Sequence, residues 1–429
     1  MLSVQFIREN TDRVKGDILR RNSSAPIDFI LQLDDRRRAL LGEVEALRAQ
    51  RNTVSKEIGA AKEKAHREAR IAEMRAVGDR IDTLDAQLRA LESELQANLS
   101  EIPNILDPNV PLGPDESGNV EIEVSGEAPR FDFQPRPHWE IGAILDGIDF
   151  ERGVKMSGSR FYLLKGQVAR LQRALIQFYL NEHTADGFTE CYLPNMLSEA
   201  SLFASGQLPK FYDNLYRDAE EDFYFIPTAE VAFVNFYRDE IIPAGMLPQR
   251  FVAHTPCFRR EKMSAGRDVR GIKRGHQFEK VEMFVYCEPG QSETELQNLV
   301  RRARSLPEKL GIRHRLLALC SGDIGFNAAK TYDIELWGPG QNDGHGDWLE
   351  CSSVSNCLDF QARRANIRYR PAPDAPLRHP HMLNGSGLAL PRSVIAVLEN
   401  YQQEDGSVVV PEVLRPYMGT ERLVPAGRS

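Results

Sequence analysis

The densest cluster of charged side chains lies at residues 257–282, in the second half of the chain. This stretch of 26 residues holds eight Lys or Arg, three Glu and one Asp. Arginine presents a planar fork of N–H donors that fits phosphate and carboxylate oxygens, so the stretch suits an anionic ligand such as a polyphosphate. A solvated surface hairpin is the structural alternative, because exposed loops are often charged as well.

Three further segments combine carboxylates, hydroxyls and cations at short spacing. They are the run TAE at 228–230, the run ECSS at 350–353 with the pair RR at 363–364, and the run NGSG at 384–387. The last run stands just before a helix that is predicted to begin near Pro391 and Arg392. Each segment alone also fits a turn, an exposed strand or a surface ion pair, and it is their joint order that favours a shared site.

Strands with alternating apolar and polar residues surround these segments. Strands are predicted at the runs FTECYLPNML, DFYFIPT, RFVAHTPCF, FEKVEMFVY, AAKTYDIELWGP and LECSSVSN, and helices at residues 162–187, 292–310 and 390–401. Strands joined by hairpins and interrupted by helices predict an α+β domain, with an antiparallel sheet flanked by helices. The glycine-rich fingerprints of Rossmann and P-loop folds do not occur, so phosphate would be bound without such a turn.

The first hundred residues carry apolar residues at heptad spacing. A short helix is predicted over residues 1–22. Heptads run from about residue 28 to 60 and again from 74 to 95, and the polar segment KEKAHR at 62–67 separates them. Two such helices with so short a connection predict an antiparallel coiled-coil hairpin, because each seam can be covered within one chain. An oligomerisation coiled coil is the alternative.

Basic side chains are concentrated on this hairpin although the whole chain is acidic. Residues 36–75 hold 11 Lys or Arg against 6 Asp or Glu, whereas the net charge of the chain is -8. A basic face can bind a long RNA or DNA, or it can be the solvated side of a helix. The exposed basic residues expected here are Arg36, Arg38, Arg48, Lys56, Lys62, Lys64, Arg67, Arg70 and Arg75.

A proline- and glycine-rich segment separates the two patterns. The predicted organisation is a helical domain over residues 1–102, a linker over 103–128 and the α+β domain over 129–429. The composition, 41% hydrophobic and 27% charged, is that of a soluble globular protein. Because neither a membrane span nor a secretory signal occurs, we expect a cytoplasmic protein without a membrane partner. The six cysteines lack CxxC spacing, so neither zinc nor disulfides are expected.

In content and order these motifs resemble those of the bacterial-type seryl-tRNA synthetases, a family of class II aminoacyl-tRNA synthetases. The matching runs are TAE, CFRRE with HQFEKVE, ECSSVSN with DFQARR, and NGSGLALPR. The runs SGQLPKF, ENYQQ and VPEVLRPYM are specific to that family, and the resemblance covers nearly the whole chain. It implies the class II antiparallel sheet and a hairpin that grips the long variable arm of tRNA(Ser).

The resemblance also implies an ATP site. Arg259 would hold the α-phosphate together with the serine carboxylate, and Arg392 would hold the γ-phosphate, so these two are the expected catalytic residues. Glu261 would bind the adenine amino group, and Phe278 would stack on the purine. The other residues of the implied ATP site are Arg260, Gly275, Glu350, Cys351, Ser352 and Ser353.

Serine-binding residues follow from the same resemblance. Thr228, Ala229 and Glu230 would form the serine site, with the first and last accepting the ammonium group. Glu282 and Ser386 would hydrogen-bond the serine hydroxyl. A pocket built to pair that hydroxyl rejects alanine strongly, because its own buried polar groups would be left unpaired.

The implied reaction needs no protein nucleophile. The serine carboxylate attacks the α-phosphorus of ATP, pyrophosphate leaves, and the terminal adenosine hydroxyl of tRNA then attacks the seryl-adenylate. Catalysis would rest on positioning and charge stabilisation, aided by Mg²⁺ bound to Glu350 and Ser353. Residues 155–194 match the family's dimer motif, so the resemblance implies a homodimer in which the arm of one subunit presents tRNA to the other. It extends the expected substrates to tRNA(Sec).

The chain departs from the family inside its arginine-rich stretch. The family commonly reads RSEAG where residues 259–263 read RREKM, and Val269 stands where Thr is usual. Gly275 occupies a position that is often bulkier. Lys262 and Met263 place two long side chains in a loop expected to face the tRNA acceptor end, which leads to the hypothesis that they tune acceptor recognition.

Two other functions are consistent with parts of the pattern. One is an enzyme that activates a small amino acid and passes it to a carrier protein, although such homologues typically lack the basic arm. The other is a non-catalytic nucleic-acid-binding relative, which would be expected to have lost Arg259, Glu282 or Arg392. All three residues are present.

Overall fold

The computed structural model of the chain describes residues 1–60, 64–262 and 270–427. The chain divides into two compact units, Met1–Pro103 and Asn104–Ser429. The helices of the first unit are α1 (Val4–Glu9), α2 (Thr11–Arg20), α3 (Ile27–Ala60) and α4 (Lys64–Ser100). None of the described helices is both long enough and apolar enough to cross a membrane.

Two short helices replace the single one predicted over residues 1–22. The break falls at Asn10, whose backbone is not helical (φ -131°, ψ 35°) and whose side chain donates to the Phe6 carbonyl at 3.0 Å. Asparagine competes for backbone hydrogen bonds in this way and favours helix ends. The apolar positions Ile7, Val14 and Ile18, from which one helix was predicted, lie on both sides of the break and did not reveal it.

The long helices α3 and α4 form the predicted antiparallel hairpin. Glu57 lies 3.8 Å from Arg70 near one end of the hairpin, and Glu43 pairs with Arg80 at 2.9 Å, so earlier residues of α3 contact later residues of α4. At about 1.5 Å per residue each helix is about 50 Å long. Of the predicted connection, residues 64–67 belong to α4, and Lys62 and Glu63 lie outside the described residues.

The heptad seam between the two helices is buried as expected. The basic residues outside the seam differ from one another in their contacts. Buried seam residues are Leu33, Val44, Val54, Ile81, Leu84, Leu91 and Leu95. Arg38 pairs with Asp34 at 2.9 Å, and Arg70 pairs with Glu73 at 3.0 Å. Some of the predicted nucleic-acid face is therefore occupied by ion pairs within the hairpin.

The second unit is an α+β domain. Its helices are α5 (His138–Ile144), α6 (Phe150–Ser157), α7 (Gly166–Ala185), α8 (Glu199–Ser205), α9 (Glu230–Val234), α10 (Ser292–Leu310), α11 (Phe360–Arg364), α12 (Leu390–Asn400) and α13 (Arg415–Met418). Its strands are β1 (Val120–Ser125), β2 (Ile148–Asp149), β3 (Leu163–Leu164), β4 (Thr189–Glu190), β5 (Met196–Leu197), β6 (Tyr224–Phe225), β7 (Ile241–Ile242), β8 (Gln249–Phe258), β9 (Gln277–Cys287), β10 (His314–Ala318), β11 (Lys330–Gly338), β12 (Asp347–Asn356), β13 (Arg368–Tyr369), β14 (His381–Ala389), β15 (Val408–Val409) and β16 (Arg422–Leu423).

Eight of the described strands form one sheet in the order β1-β10-β11-β12-β14-β9-β8-β4. Neighbouring strands are antiparallel except for the pair β4 and β8 at one edge. On β9, Met283 and Val285 pack with residues of α7, α10 and α12, while Phe284 and Tyr286 pack with residues of α9 and α11. Helices thus cover both faces, which confirms the predicted class of sheet.

Three predicted segments differ from the structure. The expected linker, residues 103–128, contains β1, whose alternation of Val or Ile with Glu between residues 120 and 124 is a strand pattern. The runs FTECYLPNML and DFYFIPT supply only two-residue strands, because Pro194 and Pro227 lack the N–H that a ladder needs. The run NGSG, for which a turn was the alternative interpretation, is part of strand β14, which leads directly into α12.

Candidate active site

A cavity of about 300 Å³ lies over the central strands of the sheet. Its lining brings together most of the predicted site residues: Thr228, Glu230, Arg259, Glu261, Gly275, Phe278, Glu282, Glu350, Cys351, Ser353, Ser386 and Arg392. These residues come from β9, β12 and β14, from the starts of α9 and α12, and from the segments that follow β8 and precede β9.

The pleat of the strands explains which side chains reach the cavity. Successive side chains of a strand point to opposite faces, so alternate residues share a face. On β9 the cavity is lined by Phe278, Lys280 and Glu282. Ser386 on β14 lies directly opposite Glu282 in the ladder, so the two predicted hydroxyl-binding residues are neighbours across two strands.

Arg259 and Phe278 stack on each other at one end of the cavity. The guanidinium carbon of Arg259 lies 5.1 Å from the centre of the Phe278 ring, which is a cation–π distance. The Arg259 Nε donates to the Pro227 carbonyl at 3.1 Å, and this contact orients the guanidinium group. The arrangement presents an aromatic face and a fork of N–H donors side by side.

Two pairs of oppositely charged residues line the cavity wall. Arg392, in the first turn of α12, lies 3.5 Å from the Glu350 carboxylate and also donates to the Glu350 carbonyl. Glu261 accepts from Arg274 Nη1 at 3.0 Å and is held in the left-handed region at φ 51°. Both arginines therefore hold acidic residues at the edge of the cavity.

A buried network of Thr228, Lys280 and Glu282 forms the floor of the cavity. Lys280 Nζ donates to Thr228 Oγ1 at 2.8 Å and forms an ion pair with Glu282. Thr228 Oγ1 in turn donates to Glu282 Oε2 at 3.3 Å. The three side chains are 4%, 7% and 1% exposed as whole residues, so the charges are compensated inside the protein rather than by solvent.

Glu230 adds a second carboxylate next to this network. Its Oε1 accepts from Gln361 Nε2 at 2.6 Å. Burial, and after it the charge of Glu282, raise the pKa of Glu230 to about 6, while hydrogen bonds to Gln361 and Asn384 oppose the shift. Two carboxylates in one small cavity favour a cationic group between them.

Oxygen ligands for a divalent cation cluster on β11 and β12. Glu350 and Ser353 both line the cavity, and Asp333 on β11 lies directly opposite Ser353 in the ladder. Asp333 is 8% exposed, and its Oδ1 has no hydrogen-bond partner in the described part of the chain. Burial and the charge of Glu350 raise the pKa of Asp333 well above its usual range. Such a donor set fits a hard cation such as Mg²⁺.

Three predicted residues do not line the cavity. Ala229 is fully buried in the core. Ser352 points away from the cavity and donates to the Ser386 carbonyl at 2.5 Å. The guanidinium carbon of Arg260 lies 5.7 Å from the centre of the Tyr216 ring. Lys262 is exposed, and Met263 and Val269 lie outside the described residues. Gly275 lines the cavity, where an added Cβ would meet Tyr162 at 3.1 Å.

Other lining residues had no individual role predicted from the sequence. They are Gln207, Lys273, Arg274, Lys280, Ser355, Asn384, Ala389 and Pro391. The alternation on β9 carried a signal for Lys280, since Phe278 and Glu282 place residue 280 on the same face. Gln207 reaches the cavity from the loop after α8, within the SGQLPKF run, for which no role in the site was predicted.

The fold and this site define a class of protein, the class II aminoacyl-tRNA synthetases. A family model described as "tRNA synthetase class II core domain (G, H, P, S and T)" matches residues 212–401, which hold most of the cavity lining. A second model, "Seryl-tRNA synthetase N-terminal domain", matches residues 1–106 and covers the hairpin.

The chain belongs to the seryl-tRNA synthetase family, whose members are serine–tRNA ligases. It is 58% identical to a serine–tRNA ligase of Roseiflexus sp. (strain RS-1) over 98% of both chains. Among solved structures it is similar to a seryl-tRNA synthetase of Pyrococcus horikoshii complexed with ATP (TM-score 0.92, 38% identity, 99% of this chain and 100% of that one). A cytoplasmic serine–tRNA ligase of Naegleria fowleri in complex with AMP has a TM-score of 0.88 at 29% identity, over 100% and 99% of the two chains.

Proposed function

We propose that this protein activates L-serine with ATP to seryl-adenylate and transfers the seryl group to the 3′ end of tRNA(Ser). The observation that carries the proposal is one cavity in which Arg259 and Phe278 adjoin the buried carboxylates of Glu230 and Glu282. The first pair suits a purine nucleotide, and the second suits a small ligand with an ammonium group and a hydroxyl. The ATP and AMP complexes of the two similar structures support the nucleotide half.

ATP would lie along the arginine-lined side of the cavity. Phe278 stacks on the adenine, Glu261 accepts from its amino group, and Arg259 binds the α-phosphate. Arg392 binds the γ-phosphate, for which its pairing with Glu350 must loosen. Arg260 and Ser352 do not line the cavity, so they would support the site without touching ATP. Arg260 would do so through its backbone, and Ser352 through its hydrogen bond to Ser386.

Serine would occupy the buried end of the cavity. Glu230 and Thr228 accept hydrogen bonds from its ammonium group, and Glu282 and Ser386 bind its hydroxyl. Lys280 joins this set because it holds both Thr228 and Glu282. Alanine, which lacks the hydroxyl, would leave the side chains of Glu282 and Ser386 unpaired and is therefore rejected.

The chemistry is a nucleophilic displacement in which the substrates supply both reacting groups. The serine carboxylate attacks the α-phosphorus, and Arg259 stabilises the charge that develops on the phosphate oxygens while pyrophosphate leaves. Glu350 and Ser353 would hold Mg²⁺, which supplies further positive charge to the phosphates when bound. Burial raises the pKa of the Cys351 thiol, so the cysteine that lines the cavity is not a nucleophile.

The second step transfers the seryl group to tRNA. The basic hairpin of α3 and α4 would bind the variable arm, and a homodimer would let the hairpin of one subunit deliver the acceptor end to the other. Exposed apolar side chains in the predicted motif, residues 155–194, support a dimer contact: they are Met156 (66% exposed) and Tyr192 (97%). tRNA(Sec), which the resemblance implies as a second substrate, would be bound in the same way.

Serine-dependent exchange between ATP and pyrophosphate tests the activation step, with threonine and alanine as competitors. We expect exchange with serine, and transfer to tRNA(Ser) when that RNA is added. Arg392→Ala should lower the exchange rate by about 100-fold. Arg363→Ala is the matched control, because Arg363 pairs with Asp359 at 2.7 Å outside the cavity lining. Exchange without transfer would favour a carrier-protein acceptor, and absence of exchange would contradict the proposal.

A further inference from the structure

A histidine outside the cavity contacts the segment that forms one of its walls. His138 is the first residue of α5 and is fully buried. Its Nδ1 lies 3.0 Å from Glu399 Oε1, and its Nε2 accepts a hydrogen bond from the backbone N–H of Ile272 at 3.1 Å. The imidazole therefore bridges the end of α12 to the segment that precedes β9.

These contacts determine the tautomer of His138. The backbone N–H of Ile272 can only donate, so Nε2 must be unprotonated, and Nδ1 carries the proton and donates to Glu399. The Glu399 carboxylate also accepts from the backbone N–H groups of His138 and Gly340, both at 3.0 Å, and from Gln341 Nε2 at 2.5 Å. Four donors hold this buried carboxylate in place, and it in turn holds the imidazole.

The hydrogen bond falls beside residues of the candidate ATP site. Ile272 immediately precedes Lys273, Arg274 and Gly275, all of which line the cavity. Arg274 donates to Glu261, the residue proposed to bind the adenine amino group. We call residues 270–276 the return limb, since they are the part of the arginine-rich stretch that leads into β9.

The residues on either side of Ile272 also fit against α5. Gly271 adopts φ 79°, and a Cβ there would lie 2.1 Å from His138 Nε2, so a side chain would displace the imidazole. The Arg270 guanidinium carbon lies 4.7 Å from the Trp139 ring centre. Three consecutive residues of the return limb thus contact His138 or Trp139.

The ENYQQ run, residues 399–403, explains why His138 is held so firmly. Glu399 is its first residue. Gln402 accepts from the Arg136 N–H at 2.8 Å and donates to the Arg136 carbonyl at 3.0 Å. The run therefore fixes both the imidazole and the chain that leads into it, a role that neither nucleotide nor serine binding assigns to it.

We propose that His138 is a positioning residue of the ATP site, oriented by Glu399, which holds the return limb against α5. This inference rests on the proposed function for its effect on ATP. When the bond to Ile272 is lost, Lys273, Arg274 and Gly275 are released and the nucleotide wall loosens. The serine pocket lies on β9, β14 and the start of α9, so its residues keep their positions.

Steady-state exchange kinetics test the proposal through the ratio of two Michaelis constants. His138→Leu should raise KM for ATP about tenfold and leave KM for serine within about twofold. His138→Gln, which restores an acceptor for Ile272, should recover most of the ATP affinity. His314→Gln is the matched control, because His314 is a buried imidazole on β10 whose Nδ1 faces the Ile312 carbonyl. Equal effects of His138→Leu and His138→Gln, or a parallel rise of both constants, would overturn it.

Hydrogen exchange of the unmodified protein provides a test that needs neither a variant nor activity. The Ile272 amide should be protected, and the fragment that contains residues 270–276 should exchange more slowly than a free peptide of the same sequence. Exchange of the Ile272 amide at the rate of a free amide would show that its hydrogen bond to His138 does not form, and would overturn the proposal. The Ile272 amide could be protected while serine-dependent exchange between ATP and pyrophosphate is absent. In that case the hydrogen bond to His138 stands, but the proposed function fails and the role of His138 in ATP binding is refuted with it.

Discussion

Cys257 and Phe278 are paired across strands β8 and β9, and this ladder position places the Phe278 ring beneath the guanidinium group of Arg259. The hairpin thus carries an aromatic face on one strand and a cation at the end of the other. An adenine that stacks on Phe278 leaves its phosphates close to Arg259. Substitutions on the two strands should therefore affect different steps.

Phe278→Leu should raise KM for ATP about tenfold with little change in kcat, because base–aromatic stacking contributes about 1–3 kcal/mol to binding. Arg259→Lys should instead lower kcat about 100-fold, since it removes donors from the developing phosphate charge. Both are measured by exchange between ATP and pyrophosphate at saturating serine. Arg250→Lys is the matched control, because Arg250 lies on β8, the strand that leads to Arg259, but pairs with Glu295 at 2.9 Å. A kcat effect for Phe278→Leu equal to that of Arg259→Lys would contradict this division.

The fold was predictable where one strand or helix carries its own pattern. The strands β8, β9, β11 and β12 are nine to eleven residues long and alternate between apolar and polar residues over part of that length, and the heptads of α3 and α4 repeat over several turns. Strand β1 was assigned to a linker because the prolines and glycines before it dominate the composition of that segment. The helix start at Glu230 was missed because α9 has only five residues.

The site was predictable only in part, for a related reason. Its motifs could be read from the residues and from a family resemblance, but contacts between distant residues could not. Lys280 meets Thr228 across 52 positions of sequence, and His138 meets Ile272 across 134. Such pairs follow from strand order and helix packing, so no local spacing indicates them.

Serine binding should depend on pH through Glu230. Its pKa is raised to about 6 from an ordinary value of 4.5, so the free folded protein binds this proton more tightly than the unfolded chain does. The group's contribution to stability is therefore present below about pH 4.5 and is lost as pH rises through about 6. Serine needs the ionised form, so KM for serine should fall as pH rises through about 6 and level off above about 7.

Glu230→Gln supplies the control for that profile. The amide cannot ionise, so KM for serine should be higher at every pH and should lose its dependence between about pH 5 and 7. KM for ATP should follow the same pH profile in both proteins. A wild-type KM for serine that is constant across this range would show that Glu230 does not bind the ammonium group as a carboxylate.

The buried pair of Lys280 and Glu282 should be required for stability as well as for serine binding. Lys280→Met leaves the Glu282 carboxylate without its cation inside the protein, and breaking a buried pair in this way costs about 3–5 kcal/mol. Adding Glu282→Gln removes the uncompensated charge, so the double variant should unfold at a higher temperature than Lys280→Met alone. Thermal unfolding without substrates measures this. If the double variant is no more stable than the single one, charge compensation is not the cause.

Binding of tRNA should depend on the exposed cations of the hairpin more than on the paired ones. Arg36, Lys56, Arg67 and Arg75 are exposed, whereas Arg48 and Arg80 form ion pairs with Asp85 and Glu43. Changing the four exposed residues to Ala should weaken tRNA(Ser) binding and reduce the slope of log affinity against log salt, since each phosphate contact contributes about 0.9 to that slope.

Changing Arg48 and Arg80 to Ala is the comparison for the hairpin, because these arginines already neutralise acidic partners. We expect a smaller loss of tRNA affinity for that double variant, together with a lower unfolding temperature. In both proteins serine-dependent exchange between ATP and pyrophosphate should stay at the wild-type rate, since activation uses residues of the second unit alone. A salt slope that is the same in the four-residue variant and the wild type would mean that this face does not bind the RNA backbone.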